Sequence, residues 1–223
     1  GARTSLYCAT APELATVSLG LWFGVGTRHE PAHLGGLSHM LEHMFFKGTA
    51  TRDVRTLNRT IEDVGGYLNA YTSREQTAYH VRVLAEHVPL AMELLADILL
   101  QSRFDPADIE REKSVIAQEI GEAYDTPDDH VFDLFQSACY KDQPLGQPVL
   151  GNVETLAPVR RDDLLAHIAS YYHTGNAVLS AAGAVDHDAL VALAERYFSS
   201  LPQGKINPPP PARFTGKLAN STR

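Results

Sequence analysis

Residues His39, Glu42 and His43 stand in the order His-x-x-Glu-His, inside the stretch Gly35-Gly36-Leu37-Ser38-His39-Met40-Leu41-Glu42-His43-Met44-Phe45-Phe46-Lys47-Gly48. The stretch opens after paired glycines and closes on a lysine and a glycine, which are helix boundary signals. On a helix rising about 1.5 Å per residue, positions i and i+4 lie one turn apart on one face. Two imidazoles so placed reach a single zinc ion at about 2.0–2.1 Å. Glu42 shares that face and would bring a carboxylate beside a water on the ion. A polar helix face turned to solvent would show the same residues, so a further ligand must separate the two readings.

A second helix carries acids at a suggestive spacing. Asp105 is a natural N-cap for Pro106 onward, with Asp108 and Glu110 complementing the dipole of the first turns. Glu112 and Glu119 follow, about two turns apart and therefore on nearly one face. Two acids on one face are usually solvated.

Taken with the histidines, the separation of Glu119 from His43 (119 − 43 = 76 residues) resembles the insulinase/pitrilysin family of zinc peptidases, whose inverzincin signature reverses the zincin order. That family includes the mitochondrial processing peptidases and their bacterial relatives. Gly26-Thr27-Arg28-His29-Glu30, Phe46-Lys47-Gly48-Thr49, Gly65-Gly66-Tyr67-Leu68-Asn69-Ala70-Tyr71-Thr72, Pro144-Leu145-Gly146-Gln147-Pro148-Val149-Leu150-Gly151 and Tyr171-Tyr172 with Asn176 also fit, so the resemblance spans roughly residues 15 to 200. It implies Zn2+ as cofactor, with His39, His43 and Glu119 as ligands, Glu42 as general base and Glu112 as a supporting acid. If coordination stays tetrahedral, Glu112 cannot join it and belongs behind a ligand or water. Glu122 and Asp125 are candidates for the same supporting position, with solvated acids as the favoured reading.

The resemblance also implies that Leu68-Asn69-Ala70-Tyr71-Thr72 is an exposed sheet edge that pairs with the backbone of a substrate, selecting extended or unfolded polypeptides. An ordinary hairpin strand is the competing reading. Phe45 and Phe46 are open to two readings, lining of a substrate pocket or core packing. The implied activity is metalloendopeptidase hydrolysis of peptide bonds. The alternatives are a non-catalytic structural or regulatory homologue and a peptide-binding subunit that needs a partner domain; the intact His39, Glu42, His43 and Glu119 favour the enzyme.

Length and composition set the bounds. A chain of 223 residues accommodates one large domain or two small ones. Its 44% apolar and 21% charged residues are those of an ordinary soluble globular protein, and no apolar run approaches the ~18–20 residues of a membrane-spanning helix. A net charge of −8 argues against nucleic acid as the main partner. Cys8 and Cys139 match no zinc or redox spacing and read as buried free thiols, which leaves the compartment undetermined. The bacterial relatives favour cytoplasm or periplasm.

The elements that must position the site follow from periodicity. Alternation over Leu14 to Thr27 predicts a half-buried strand, with residues 4 to 9 as a preceding strand and Pro12 in the turn between. Helix is expected over Thr51 to Val64, strands over Tyr67 to Thr72 and Gln76 to Leu84. Helices are then expected over Glu86 to Gln101, from Asp105 to near Gly121, and from Asp128 to Ala138 with Val131, Leu134 and Phe135 inward. Lys141 to Asn152 reads as loop, Arg161 to Tyr172 as helix, Ala177 to Val185 as buried strand and Asp188 to Phe198 as a closing helix. This order predicts an α+β domain with helices on one face of a mainly antiparallel sheet, the fold the resemblance also implies. Residues 1–201 read as the catalytic domain, and 202–223, with Pro208-Pro209-Pro210-Pro211, as a proline-rich linker or tail. Family members usually enclose a chamber with a second homologous domain or subunit. The chain is therefore expected to be a fragment, with a naturally single-domain subunit as the alternative.

Overall fold

The alternating strand residues generate the core. In a computed structural model, which describes residues 4–216, β2 (Thr16–Phe23) turns Val17, Leu19, Leu21 and Phe23 to one side, each no more than 2% exposed. β4 (Thr77–Leu84) turns Thr77, Tyr79, Val81 and Val83 to the same side. The period-two pattern thus separates a buried face from one where Ser18 and Arg82 are exposed. Core side chains from the helices described below join the buried face in a single cluster.

The sheet has five strands in the order β1-β5-β2-β4-β3. β3 (Tyr67–Thr72) pairs antiparallel with β4, β4 with β2, and β2 with β5 (Ala177–Gly183). β1 (Ser5–Thr10) lies at the far edge and runs parallel to β5. The expected turn between β1 and β2 is therefore not a hairpin: β5, more than 150 residues downstream, fills the place between them. Only a long-range pairing could decide this, and local pattern carries no trace of it.

Eight α-helices complete the described residues. α1 (Leu37–Phe45) and α2 (Val54–Glu62) follow β2, and α3 (Val88–Gln101) follows β4. Next come α4 (Pro106–Asp125), α5 (Pro127–Cys139), the single turn α6 (Val153–Leu156) and α7 (Arg161–Tyr171), with α8 (His187–Phe198) last. α4 runs past its expected end near Gly121. An interior glycine costs only about 1 kcal/mol in a long helix, and the stop comes where Thr126, preceding Pro127, leaves the helical region at φ −102°, ψ 102°.

The inward reading of α5 is corrected. Val131 and Phe135 are 53% and 62% exposed, and only Leu134 is half-buried. α5 packs on α4 and on the turn Pro144–Gly146, and neither covers Val131 or Phe135. The thiols also differ from expectation: Cys139 is buried, but Cys8 is only half-buried on the edge strand, and both are free. Beyond Leu201 the proline-rich segment up to residue 216 forms no helix or strand, and it is tied to the body. Pro210 carbonyl accepts from Arg28 at 2.7 Å and the Thr215 amide donates to Cys139 carbonyl at 2.7 Å. Residues Lys217 to Arg223 lie outside the described residues.

Phe45 illustrates how the core claims the metal-side helix. Its ring packs edge-on against Tyr79 and Phe104, at 5.2 and 5.5 Å, and is fully buried. Beneath it the hydroxyls of Tyr79 and Tyr172 meet at 3.0 Å. Phe45 is thus core and has no surface to offer a substrate, which corrects its placement among the substrate-binding residues.

The exit from α1 is held by a buried carboxylate. Asp97 of α3 accepts from the hydroxyls of Thr49 and Thr51 at 2.9 Å and from the Arg52 guanidinium at 2.8 Å. Replacing Asp97 by Ala should lower unfolding free energy by about 2–3 kcal/mol, because it removes the shared acceptor of three donors, of which Thr49 is buried. Urea denaturation measures this, and a loss below about 1 kcal/mol would show the clamp to be no stronger than a surface pair.

Candidate metal centre

α1 is amphipathic in an unusual proportion. Leu37, Met40, Leu41, Met44 and Phe45 are each at most 2% exposed, leaving His39, Glu42 and His43 as its open edge. α4 packs across that edge and brings Glu119 to both histidines. His39 Nε2 lies 3.7 Å and His43 Nε2 3.6 Å from the same oxygen of Glu119. The three ligand atoms fall within 4.8 Å of one another, and no other such group occurs among the described residues.

This geometry fits a zinc ion. Bonds of about 2.0–2.1 Å at tetrahedral angles separate ligand atoms by about 3.4 Å, close to the distances found. Two imidazole nitrogens and one carboxylate oxygen are a borderline-soft donor set that suits zinc and leaves one position open. Three carboxylates, those of Glu42, Glu112 and Glu119, gather here, and among the described residues Lys47 alone is paired with them as a Lys or Arg cation. Such an excess of negative charge suits a divalent cation.

The surrounding groups fix the donors. Glu112, 5% exposed, accepts from His43 Nδ1 at 3.0 Å and pairs with Lys47 at 2.8 Å. With its proton held on Nδ1, His43 presents a free lone pair at Nε2. Burial alone would raise the Glu112 pKa, but the bonds from Lys47 and His43 outweigh it and hold the carboxyl below its ordinary value. His39 is pushed down to about 4, first by burial and then by the neighbouring His43, so its imidazole stays neutral and ready to ligate. Its Nδ1 is buried with no hydrogen-bond partner among the described residues, leaving Nε2 as the nitrogen that faces the cluster.

Glu42 stands beside the ligands without joining them. It accepts a 2.5 Å bond from the Thr72 hydroxyl at the end of β3. Burial raises its pKa, opposed by that bond and by His43 and reinforced by Glu119. β3 is an edge strand bonded only to β4. Along it Asn69 and Tyr71 are exposed, Leu68 is half-buried against the core, and Ala70 points inward at 8% exposure.

The structure therefore brings His39, Glu42, His43, Glu112 and Glu119 into one cluster and places Leu68 to Tyr71 on the adjoining edge. Glu122 and Asp125 are exposed, in line with their reading as solvated acids. Two further participants stand out: Lys47, to which the sequence gives no role, and Thr72, read there only as part of the edge and not as a partner of Glu42. Lys47 was open to discovery, since it follows His43 by one helical turn and offers a counter-charge to Glu112. Thr72 was not, because nothing local predicts a contact spanning thirty residues. Two further histidines are buried: His167 bonds the Ser38 hydroxyl at 3.2 Å, while His173 Nδ1 has no partner among the described residues.

The inverted His-x-x-Glu-His helix, the glutamate from a second helix and the α+β domain together match the inverzincin signature. The family model described as "Insulinase (Peptidase family M16)" matches residues 7–153, and that described as "Peptidase M16 inactive domain" matches residues 158–221. The chain belongs to the insulinase family of peptidases. It is 44% identical over 205 residues to an "uncharacterized zinc protease" of Rickettsia felis, covering 92% of this chain and 50% of that one. It is 42% identical over 206 residues to the beta subunit of the mitochondrial-processing peptidase of Bos taurus, covering 91% and 42%. Among solved structures, a protease from Helicobacter pylori superposes with a TM-score of 0.84 at 22% identity, covering 96% of this chain and 53% of that one. The chain thus spans about half the length of the relatives it matches.

Two measurements probe the site's electrostatics. Glu112→Gln should weaken zinc binding by about 10–100-fold, the usual cost of losing a partner behind a ligand, read by competition with a chromophoric chelator; unchanged affinity would remove Glu112 from the site. His167 is held at about 4 against 6.5 in the unfolded chain, by burial first and His29 second. Its neutral form favours folding above pH 6.5, and that stability is lost as pH falls through 4. The metal-free chain should therefore lose about 3 kcal/mol more than its His167→Gln variant between pH 6.5 and 4. Parallel urea-unfolding curves at both pH values would refute this.

Proposed function

We propose that this chain is the catalytic half of a zinc endopeptidase that hydrolyses peptide bonds in extended peptides or unfolded polypeptides. The observation that carries this reading is the convergence of His39, His43 and Glu119 beside Glu42, with Glu42 tied by Thr72 to an open sheet edge. Zinc, when bound by those three residues, supplies Lewis-acid polarisation of the scissile carbonyl and lowers the pKa of a water to about 7.

The chain's own residues do the rest. Glu42 takes the proton from the attacking water and returns it to the leaving amine, and its raised pKa brings it nearer the operating pH for both transfers. Thr72 holds one carboxylate oxygen, leaving the other to face the water. Glu112, itself held by Lys47, keeps the His43 ring in one orientation and tautomer. Leu68 to Tyr71 offer backbone donors and acceptors along the free edge of β3, where an extended substrate adds as a further strand. Such pairing reads backbone and not sequence, so it suits unfolded chains and excludes folded ones. Residues 1–201 form the catalytic domain in this reading, and 202–223 lead towards a second homologous domain or subunit that closes the site. A second reading, a subunit that captures peptides and acts only with its partner, draws on the chain's spanning half of its relatives.

Glu42→Gln separates these. Turnover of a quenched unstructured peptide should fall by about 10²–10⁴-fold, while zinc affinity and peptide binding stay within a factor of about three. Turnover that survives the substitution, or complete metal removal, would sink the mechanism. A zinc-loaded chain that binds peptide without cleaving it would favour the second reading.

A further inference from the structure

α1 cannot cap its own N-terminus. Its N-cap residue, Gly36, sits at φ +91°, and a Cβ there would come within 2.5 Å of the Leu150 carbonyl oxygen. The Ser, Thr, Asp or Asn that usually satisfies the first helical amides is therefore excluded at this position. The amides are satisfied from elsewhere. Glu30, 8% exposed, accepts from Gly36 N at 2.8 Å through one oxygen and from Ser38 N at 2.6 Å through the other. Ser38 is fully buried, and its hydroxyl meets His167 Nε2 of α7 at 3.2 Å.

Resting on the reading of the metal centre given above, we propose that Glu30 is a positioning residue for that centre: its carboxylate grips two amides on either side of Leu37 and so sets the start and the rotation of the helix that carries His39, Glu42 and His43. One bond would satisfy a donor; two bonds to amides two residues apart fix an angle. Metal and base geometries tolerate only about 0.5 Å or 10–20° of error. His39 is the residue next to Ser38, and Glu42 lies one turn beyond Ser38 on the same face, so rotation at this end is transmitted directly to both.

The loop that carries Glu30 is itself referenced to the site. Thr27 and Arg28 amides donate to the carbonyls of Ser73 and Arg74 at 3.2 and 2.9 Å, and Tyr171 hydroxyl donates to the His29 carbonyl at 3.2 Å. Ser73 directly follows Thr72, the residue that holds Glu42. One loop thus ties the helix bearing the base to the strand end that orients it. No cation pairs with Glu30 among the described residues, and burial pushes its carboxyl up to about 7 in spite of the amide bonds. A buried, unpaired acid is an expensive way to close a helix, which fits a residue kept for geometry over stability.

The test uses the chain of residues 1–223 with Zn2+ and with Co2+, whose visible absorption reports coordination geometry. Glu30→Gln keeps the shape but turns an NH2 towards one of the two amides. Glu30→Asp keeps the charge but is one methylene too short to reach both, and it serves if the Gln variant does not fold. Leu190→Ala, a fully buried position on α8, supplies a destabilised control. We expect the Glu30 variant to weaken zinc binding by about 10-fold or more and to alter the cobalt bands, while Leu190→Ala changes neither at comparable loss of stability. A wild-type chain that binds both ions, with a Glu30 variant matching it in affinity and spectrum, would overturn this proposal alone. A wild-type chain that binds neither ion would overturn the reading of the centre and this proposal with it.

Discussion

The crossing of α4 over the polar edge of α1 is the contact on which the site depends. A helix of nine residues is unstable by itself, because nucleation costs more than two turns of hydrogen bonds return. α1 exists because five of its side chains are sealed into the core, and that sealing leaves one orientation in which His39, Glu42 and His43 can face outward. α4 then brings Ile109 and Ile116 into the same core and Glu112 and Glu119 to the histidines. Burial of the apolar residues and convergence of the polar ones are one event, since the two sets alternate on the same helices.

Polar order is concentrated at the ends of α1. Glu30 holds the amides at its entry and Asp97 the threonines and arginine beyond its exit. Buried carboxylates cost desolvation and are tolerated only where donors surround them. Here each is met by several: Glu30 by amides six and eight residues on, and Asp97 by Thr49, Thr51 and Arg52 from more than forty residues earlier. The consequence is a short helix whose position is defined by hydrogen bonds at both ends and by packing between them, a rigid mount of the kind a metal and its base require.

The sheet contributes in two ways. Its central strands β2, β4 and β5 supply the floor on which α1 rests, with Tyr79 and Phe23 beneath Phe45 and Tyr172. Its edge strand β3 ends in Thr72, which reaches the proposed base. A free sheet edge is usually a liability for aggregation. Here the edge reaches Glu42 through Thr72, and its proposed use, pairing with an extended substrate, would place the scissile bond near Glu42 without reading side chains.

The sequence alone indicated the elements and a candidate chemistry. Period-two alternation named β2 and β4, helical periodicity named α3 and α4, and His39, Glu42 and His43 declared themselves because a helix puts i and i+4 on one face. Such features are local, and local geometry follows from backbone periods. Glu119 and Glu112 could be joined to them only through resemblance, since no period relates residues 76 apart. What only the tertiary structure decided is everything set by contact between distant segments. β5 entered between β1 and β2, Phe45 went to the core and Phe135 to the surface, and Thr72, Glu30 and His167 acquired partners that no spacing announces. Those outcomes depend on how much apolar surface each neighbour leaves uncovered and on which buried donors remain to be satisfied, and both are properties of the assembled fold.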